Sequence, residues 1–338
     1  MTENKKKSEL SARLVDIINE NDDFLVITHI FPDGDAIGSI TALHMLLSSL
    51  GKRSRMICNS DLPYQYRFLP CFNEIKREKE IEDLYEKKFI CIVLDCADQQ
   101  RTEMDTELLK DSGSHIVNID HHRSNNRFGD LNIIESGKAA TSEMIFKFIY
   151  KYFKDILDHD IATCLYVGIL TDTGRFQYSN TTANVHLITG KLLEYGIYPS
   201  EVYCHIYESD PLGRFKLIQK VFDRIEYIEP LCLIYSYVLE EDFTKLKISF
   251  YAQDGVIELL RSAEGTRVAA LIKQIENNSY KVSLRTSDRQ IDLSAIASGF
   301  GGGGHRAASA YRDEGKLDKV ISRLKSAVRK EIGDARYV

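Results

Sequence analysis

The segment DFLVITHIFPDGDAIGS (residues 23–39) decides the fold of the first half of this 338-residue chain. It starts with a short continuous apolar run, the pattern of a strand that is buried on both faces. From Ile37 to Leu50 apolar residues recur at spacings of three and four, and Gly51 follows where a helix commonly ends. The segment therefore predicts a strand, a polar loop and a helix in direct succession.

The same order of elements recurs along the chain. FICIVLD (89–95) and HIVNID (115–120) are further candidates for buried strands, each followed by polar residues. Helical periodicity covers residues 7–19, 141–152, 161–170, 184–195 and 201–208. This alternation predicts an α/β fold with a parallel sheet that carries helices on both faces.

A second, smaller domain is expected after the segment SDPLGR (209–214), because a chain of this length usually exceeds what one core organises. Residues 1–208 would form the first domain. Residues 209–338 would form a connecting helix and a mixed-sheet α/β domain, with strands at 231–238, 267–275 and 279–287 and a charged helix near 315–331.

Composition excludes several classes of protein. Hydrophobic residues make up 43% and charged residues 28% of the chain, as in ordinary globular proteins. The net charge of −6 argues against a protein that coats long duplex nucleic acid. The seven cysteines form no CxxC pair, which argues against disulfides and a structural zinc site. With no signal peptide and no run of about 18 apolar residues, we expect a cytoplasmic protein without a membrane span.

Polar residues of one chemical kind follow the predicted strands. They are His29, Asp33 and Asp35 after the first strand, Asp95 after the second, Asp120, His121 and His122 after the third, and Asp172 after the helix at 161–170. Parallel sheets bind ligands at the carboxyl ends of their strands, and an extended loop would point Asp33 and Asp35 the same way. Crowded carboxylates repel one another unless cations neutralise them. Carboxylate and imidazole ligands suit manganese or magnesium, and the histidines favour manganese.

Each motif alone has a simpler explanation. HxxPDxD is compatible with a turn, the DHH segment and Asp95 with helix caps, and TDTGRF with a capped turn. Their shared place in the sheet favours a common site. The remaining histidines lie singly in helical or strand patterns and are interpreted as packed or exposed side chains: His44, His115, His159, His186 and His205.

Five motifs stand in order along the chain: HIFPDGDAIGS, VLDCAD, NIDHHRSN, GILTDTGRFQYSNTT and GGGGHRAASA. With them the chain resembles the DHH phosphoesterase family with its DHH-associated C-terminal domain. The resemblance covers both domains. It is closest to stand-alone bacterial members that degrade short oligonucleotides and dephosphorylate pAp (3′-phosphoadenosine 5′-phosphate), and relatives of this type suggest a homodimer.

The resemblance also implies roles for individual residues. One metal ion would be held by His29, Asp33 and Asp95, and the other by Asp35, Asp95, His121 and Asp172, so that Asp95 bridges. His122 would face the substrate phosphate and Asp120 would orient the neighbouring imidazole. The active site would lie in the cleft between the two domains.

The second domain would bind substrate through the segment GFGGGGH. Its residues Gly301, Gly302, Gly303, Gly304 and His305 would approach a phosphate or sugar, although composition alone also fits a flexible linker. We expect the Ala-rich segment that follows to start a helix, and the family's Ala-Gly is replaced there by Ser309 and Ala310. Arg285 would contact phosphate or base, with Arg101 as a weaker candidate. Gln177 replaces a usual arginine, and Arg175 occupies the variable position nearby.

The expected function is hydrolysis of short oligonucleotides (nanoRNA, linear dinucleotides) to mononucleotides and of pAp to AMP. Three other functions stay open. A cyclic-dinucleotide phosphodiesterase is the first, but relatives with that role often carry membrane and sensory segments. Pyrophosphatase or exopolyphosphatase activity is the second, and a nucleotide-binding module without turnover is the third. Retention of every proposed metal ligand argues against the last of these.

Overall fold

The computed structural model describes residues 3–248, 250–253 and 255–333. The chain divides into two compact units, residues 1–209 and 210–338. Among the helices of the described ranges, none combines the length and apolar character that crossing a membrane requires.

The first unit is a parallel sheet covered by helices. Its strands pair in the order β2-β1-β3-β4-β5. They are β1 (Asp23–Ile27), β2 (Arg53–Ile57), β3 (Ile90–Leu94), β4 (His115–Asp120) and β5 (Leu131–Ile134). The helices are α1 (Glu3–Glu20), α2 (Gly34–Ser49), α3 (Thr106–Asp111), α4 (Thr141–Tyr152), α5 (His159–Asp172), α6 (Ala183–Leu193) and α7 (Pro199–Tyr207). The predicted parallel sheet is confirmed.

The two faces of this sheet pack against different cores because side chains alternate along each strand. Phe24 and Val26 of β1 join a large apolar cluster that includes residues of α1, α2, α4 and α5. Leu25 and Ile27 point the other way, into a smaller cluster that includes Leu109 of α3. A strand buried on both faces needs the continuous apolar run that the sequence shows.

The second unit is a mixed sheet of strands in the order β10-β11-β9-β8-β7-β6. Strands β7 and β8 run parallel and the other neighbours antiparallel. The elements are α8 (Leu212–Asp223), β6 (Glu226–Ile228), β7 (Leu233–Val238), α9 (Glu240–Leu246), α10 (Val256–Arg261), β8 (Val268–Glu276), β9 (Ser279–Arg285), α11 (Leu293–Ser298), β10 (Gly303–His305), β11 (Ala308–Glu314) and α12 (Leu317–Ile332). Apolar clusters lie on both faces, one formed with α11 and α12 and the other with α8, α9 and α10.

The segment after the glycine run corrects a sequence expectation. Ala308–Glu314 forms strand β11, paired antiparallel with β9, and does not start a helix. Ser309 and Tyr311 are buried while residues on either side are more exposed, which is the period of a strand. Pairing with β9 therefore outweighs the helix propensity of the alanines, since propensity is weak beside tertiary packing. The small residue at position 310 serves strand packing instead of helix packing.

Candidate metal centre

The loop after β1 brings two of the predicted ligands to the edge of the sheet. His29 is buried, and its Nδ1 lies 2.8 Å from the carbonyl oxygen of Ile30. A proton on Nδ1 donated to that carbonyl leaves Nε2 as the ligand atom, and Nε2 lies 3.7 Å from Asp95 Oδ2. Asp33 caps α2, because its Oδ1 accepts hydrogen bonds from the N–H groups of Asp35 and Ala36, both at 3.0 Å.

Asp35 does not lie in an extended loop as expected from its spacing to Asp33. It belongs to the first turn of α2 and is fully buried. Its carboxylate accepts hydrogen bonds from the first N–H groups of α4, whereas the carboxylate of Asp33 accepts from its own helix. Because Asp33 caps the helix, the residues after it take helical dihedral angles.

Asp95 occupies an unusual backbone position directly after β3. Its φ of 56° lies in the left-handed region, and its N–H donates to the carbonyl of Ile119 at 3.0 Å. Left-handed conformations are uncommon outside glycine and are enriched for aspartate and asparagine. The buried carboxylate lies between the histidines that follow the neighbouring strands. Its Oδ1 lies 3.4 Å from Nε2 of His121, after β4, and its Oδ2 lies 3.7 Å from Nε2 of His29, after β1.

His121 connects three carboxylates. Its Nε2 lies 3.3 Å from Asp172 Oδ2, 3.4 Å from Asp95 Oδ1 and 4.0 Å from Asp35 Oδ2. Its Nδ1 lies 3.3 Å from the carbonyl of Lys138, which can accept the Nδ1 proton. This is the arrangement that metal-bound histidines generally show, with one nitrogen toward the ion and the other held by an acceptor.

His122 is held by a buried polar network. Its Nδ1 lies 2.7 Å from Asp120 Oδ1, and Asn125 Nδ2 donates to Asp120 Oδ2 at 2.7 Å. The same amide lies 2.8 Å from Asn118 Oδ1. Asp120 therefore fixes the ring orientation of His122 and leaves its Nε2 for another partner. Sequence reasoning missed Asn125, although the segment DHHRSN contains it.

Helix α4 supplies donors that sequence reasoning also missed. The N–H groups of Thr141 and Ser142 donate to Asp35 at 2.6 and 2.8 Å, and the Thr141 hydroxyl donates to Asp95 Oδ1 at 3.0 Å. A helix N-terminus stabilises carboxylates in this way. The pair Thr-Ser before an apolar helix was the available signal, but backbone donors leave no direct mark in a sequence.

Close packing of α2 against α5 depends on glycine. A Cβ on Gly168 would lie 2.7 Å from Asp35 Oδ1 and 2.0 Å from Ser142 Oγ, and a Cβ on Gly38 would lie 2.3 Å from the carbonyl of Cys164. All three distances are too short for any side chain. The two glycines therefore let the helices approach until Asp35 and Asp172 share one site.

Electrostatics in this cluster are dominated by burial and by the neighbouring carboxylates. Burial, reinforced by Asp95, raises the pKa of Asp35 to about 7, and burial together with Asp35 raises the pKa of Asp172 well above its usual value. Burial works against ionisation of Asp95 too, but hydrogen bonds with His121 and His29 hold its pKa well below the usual range. Despite its burial, His121 has its pKa raised to about 11 by Asp95. Two raised carboxyl pKa values indicate a deficit of positive charge.

The cluster fits divalent cations. Ligand atoms of His29, Asp33 and Asp95 all lie within 4.8 Å of one another, and so do those of Asp35, His121 and Asp172. Asp95 also lies next to the second group, because its Oδ1 is 3.4 Å from Nε2 of His121. Carboxylate oxygen and imidazole nitrogen without thiolate are the ligands that manganese and magnesium accept.

In the second unit, two predicted substrate residues share one face of the sheet. His305 pairs with Ala308, and Ala308 pairs with Arg285 on its other side. Directly opposite residues of antiparallel strands point to the same face, so the two side chains flank the small Ala308 at about 10 Å, twice the strand spacing. His305 is exposed, and the Arg285 Nε donates to Glu258 at 2.9 Å.

The glycine run forms a tight turn into β10. Gly301 and Gly304 have φ values of 71° and 138°, which favour glycine. A Cβ on Gly302 would lie 2.3 Å from the carbonyl of Ala310, and one on Gly304 would lie 2.6 Å from that of Ala308. A Cβ on Gly303 would meet no other atom within 4 Å. The segment is therefore built into the sheet edge and is not a linker.

Of three other residues singled out from the sequence, Arg101 and Arg175 make specific contacts. The Arg101 Nη2 lies 3.1 Å from His29 Nδ1, so this arginine stands beside the first ligand group. The Arg175 guanidinium lies over the ring of Tyr207, 5.2 Å from its centroid, in a cation–π contact. Gln177 is exposed. Nothing brings Arg175 or Gln177 within contact of the metal ligands among the described interactions.

Four of the remaining histidines make ordinary packing or polar contacts. His115 pairs with Asp130 and His159 with the Tyr195 carbonyl, whereas His186 and His205 lie against the rings of Phe176 and Phe68. His44 has more polar neighbours, Ser54 and Glu74.

Comparison with known proteins finds a matching domain family for each of the two units. Residues 23–169 match the model of the DHH family, N-terminal domain, and residues 231–330 match the DHHA1 domain. A Thermus thermophilus protein named bifunctional oligoribonuclease and PAP phosphatase NrnA is 33% identical over 93% of this chain and 91% of its own. A Bacillus subtilis protein of the same name is 26% identical over 94% and 98%. The crystal structure of an exopolyphosphatase-related protein from Bacteroides fragilis has the same fold, with a TM-score of 0.87 at 22% identity over 96% of both chains.

Proposed function

The chain belongs to the DHH family and carries a DHHA1 domain, and from this premise we propose that it is a two-metal phosphoesterase of short nucleotides. It hydrolyses short oligonucleotides to mononucleotides and pAp to AMP. Support comes from the names of the Thermus and Bacillus relatives, which cover nearly the whole chain.

One observation carries the two-metal part of the proposal. The carboxylate of Asp95 lies between two groups of ligand atoms, next to His29 on one side and to His121 on the other. A bridging carboxylate between two cations has this placement. Asp33 would complete the first group, and Asp35 and Asp172 the second.

The residues around the cations have separable tasks. When bound, two divalent ions supply Lewis-acid polarisation of the phosphoryl group and acidify the attacking water. The α4 N-terminus holds Asp35, and the Thr141 hydroxyl orients Asp95. His122, whose pKa is raised by Asp120 against the effect of burial, is suited to donate a proton from Nε2 to a phosphate oxygen.

In the second unit, His305 and Arg285 are proposed to hold a terminal phosphate or nucleotide. They flank Ala308, whose small side chain leaves room between an imidazole and a guanidinium on one face of the sheet. Both groups donate hydrogen bonds to phosphate oxygens. Arg285 would exchange its Glu258 partner for the ligand.

A panel of four substrates tests the proposal. The full-length protein with Mn²⁺ is assayed on a linear dinucleotide, pAp, a cyclic dinucleotide and pyrophosphate. Efficient hydrolysis of the first two with little of the others is the expected result. Preference for the cyclic dinucleotide or for pyrophosphate would replace the proposed substrate class, and failure on all four would support a binding module.

A further inference from the structure

A second cluster of metal-ligating side chains lies in the first unit, outside the candidate metal centre. His44, Cys71 and Glu74 each offer a ligand atom, and these atoms all lie within 4.8 Å of one another. His44 stands on α2 about 13 Å along the helix axis from Asp35, at 1.5 Å per residue. The cluster therefore shares a helix with the candidate metal centre and none of its ligands.

The orientation of His44 suits coordination. Its Nδ1 lies 2.7 Å from the hydroxyl oxygen of Ser54, while its Nε2 faces Glu74 Oε2 at 3.4 Å. A metal-binding histidine characteristically has one ring nitrogen held by such a partner and the other turned to the ion. Burial lowers the pKa of His44, which favours the neutral imidazole that coordinates metals.

Cys71 adds a thiol to this cluster, and an ion pair between His44 and Glu74 would not need one. Its backbone has a φ of 57°, in the left-handed region, and its thiol lies half-buried beside the other two groups. Burial and Glu74 raise the pKa of Cys71 to about 11, so the thiolate needs a cation beside it. The side chain of Glu74 is 62% exposed, which gives an ion a path from solvent.

We propose that His44, Cys71 and Glu74 bind one Zn²⁺ ion through nitrogen, sulfur and oxygen. Zinc accepts all three ligand types, and water completes the tetrahedron. Binding releases the thiol proton of Cys71 to solvent. The ion would fasten the turn at residues 71–74 to α2 and, through Ser54, to β2. The ligands are scattered between positions 44 and 74, so this site has no CxxC pair to mark it in the sequence.

Cobalt provides a probe that separates this cluster from the candidate metal centre. Co²⁺ is added to the chelator-stripped, fully reduced full-length protein, and the near-ultraviolet spectrum is recorded. Thiolate coordination produces an intense sulfur-to-cobalt charge-transfer band, and the six ligands of the candidate metal centre include no thiolate. When Co²⁺ also fills the candidate metal centre, we expect the saturated band to correspond to one thiolate-bound Co²⁺ per chain, and we expect the band to be lost when Zn²⁺ is added. Absence of the band overturns the proposal, whatever the phosphoesterase activity.

Matched variants assign the band to its ligands. Cys71→Ser should abolish it. Cys204→Ser is the control, because Cys204 is an exposed cysteine whose thiol donates to a carboxylate, that of Glu208, at 2.9 Å. The control should keep the band. A band that survives in Cys71→Ser, with the circular dichroism spectrum unchanged, would place cobalt at another cysteine and refute the assignment.

The affinity for Zn²⁺ tests the remaining geometry. His44→Gln should lose most of the affinity in a competition titration against a chromogenic chelator. Ser54→Ala should weaken it about tenfold, the lower end of the effect of losing a partner that orients a metal ligand. Unchanged Zn²⁺ affinity in both folded variants would contradict the proposed coordination.

Discussion

The hydroxyl of Thr141 offers a sharp test of how the candidate metal centre is organised. It donates to Asp95 Oδ1 at 3.0 Å, and the N–H of the same residue donates to Asp35 at 2.6 Å. Thr141→Val removes the hydroxyl and keeps the shape and the N–H. The perturbation therefore reaches the proposed bridging carboxylate alone.

The magnitude follows from the contacts that remain. A hydrogen bond to a charged group contributes about 1.5–3 kcal/mol. Asp95 Oδ1 keeps His121 at 3.4 Å, so part of its orientation survives and the lower end applies. At about 1.4 kcal/mol per factor of ten, the variant should need roughly tenfold more Mn²⁺ for half-maximal activity. Saturating Mn²⁺ should recover most of the turnover.

The assay is hydrolysis of a linear dinucleotide across a Mn²⁺ titration, with thermal unfolding measured in parallel. Thr163→Val is the matched control, because that hydroxyl also lies in a helix of the first unit but, within the described ranges, donates only to the carbonyl of His159, at 2.8 Å. It should titrate like the wild type. Identical Mn²⁺ dependence in Thr141→Val and wild type would refute the idea that Thr141 orients a metal ligand.

Three further predictions use separate parts of the chain. Asp95→Ala should lose more than about tenfold in activity, above 1.4 kcal/mol in barrier, and Mn²⁺ should no longer raise its melting temperature; retained activity would remove Asp95 from the bridge. His305→Ala should lower kcat/KM on a dinucleotide roughly tenfold or more and spare a p-nitrophenyl phosphodiester, whereas Arg312→Ala, on the same face of β11, should change neither. Asp242→Asn should cost about 3 kcal/mol in unfolding free energy, because buried Asp242 pairs with Arg224. The pKa of folded Asp242 is lowered by Arg224 in spite of burial, so the difference from wild type should be full above about pH 4, the unfolded value, and vanish as pH falls through the folded pKa; a difference independent of pH would exclude the ion pair as its cause.

Prediction from the sequence worked best where the pattern itself has a physical cause. The continuous apolar runs before His29 and Asp95 predicted β1 and β3, because strands covered on both faces have no polar side. It did not identify β2, since Arg53–Ile57 mixes exposed and buried positions at the sheet edge. The four-residue strand β5 was missed as well, because it is too short to show a period.

Within the candidate site, the sequence indicated the side chains of the cluster better than the hydrogen-bond donors and the helix packing that hold them. The side chains proposed to ligate metals stand out in the sequence as aspartate and histidine after strands. The donors that hold them do not, since Thr141 and Ser142 act through backbone N–H groups whose position depends on helix packing. The role of Gly168 could not be predicted from the sequence either. A side chain is excluded there because α5 lies close to Asp35, which only the structure shows.

The lysines near the cluster are not available to neutralise its carboxylates. The nearby lysines are already paired: Lys138 and Lys147 lie 3.4 and 2.7 Å from Glu143, on the first turn of α4. Asp35, by contrast, accepts hydrogen bonds from uncharged donors: the N–H groups of Thr141 and Ser142 in the same turn, and the hydroxyl of Ser39 on α2. Neutral donors orient a carboxylate without cancelling its charge, whereas a lysine would occupy the place of an ion. Helix α4 therefore has two effects on charge. Its Glu143 neutralises the nearby lysines, and its N-terminal N–H groups orient Asp35 without cancelling the negative charge that a divalent cation would neutralise.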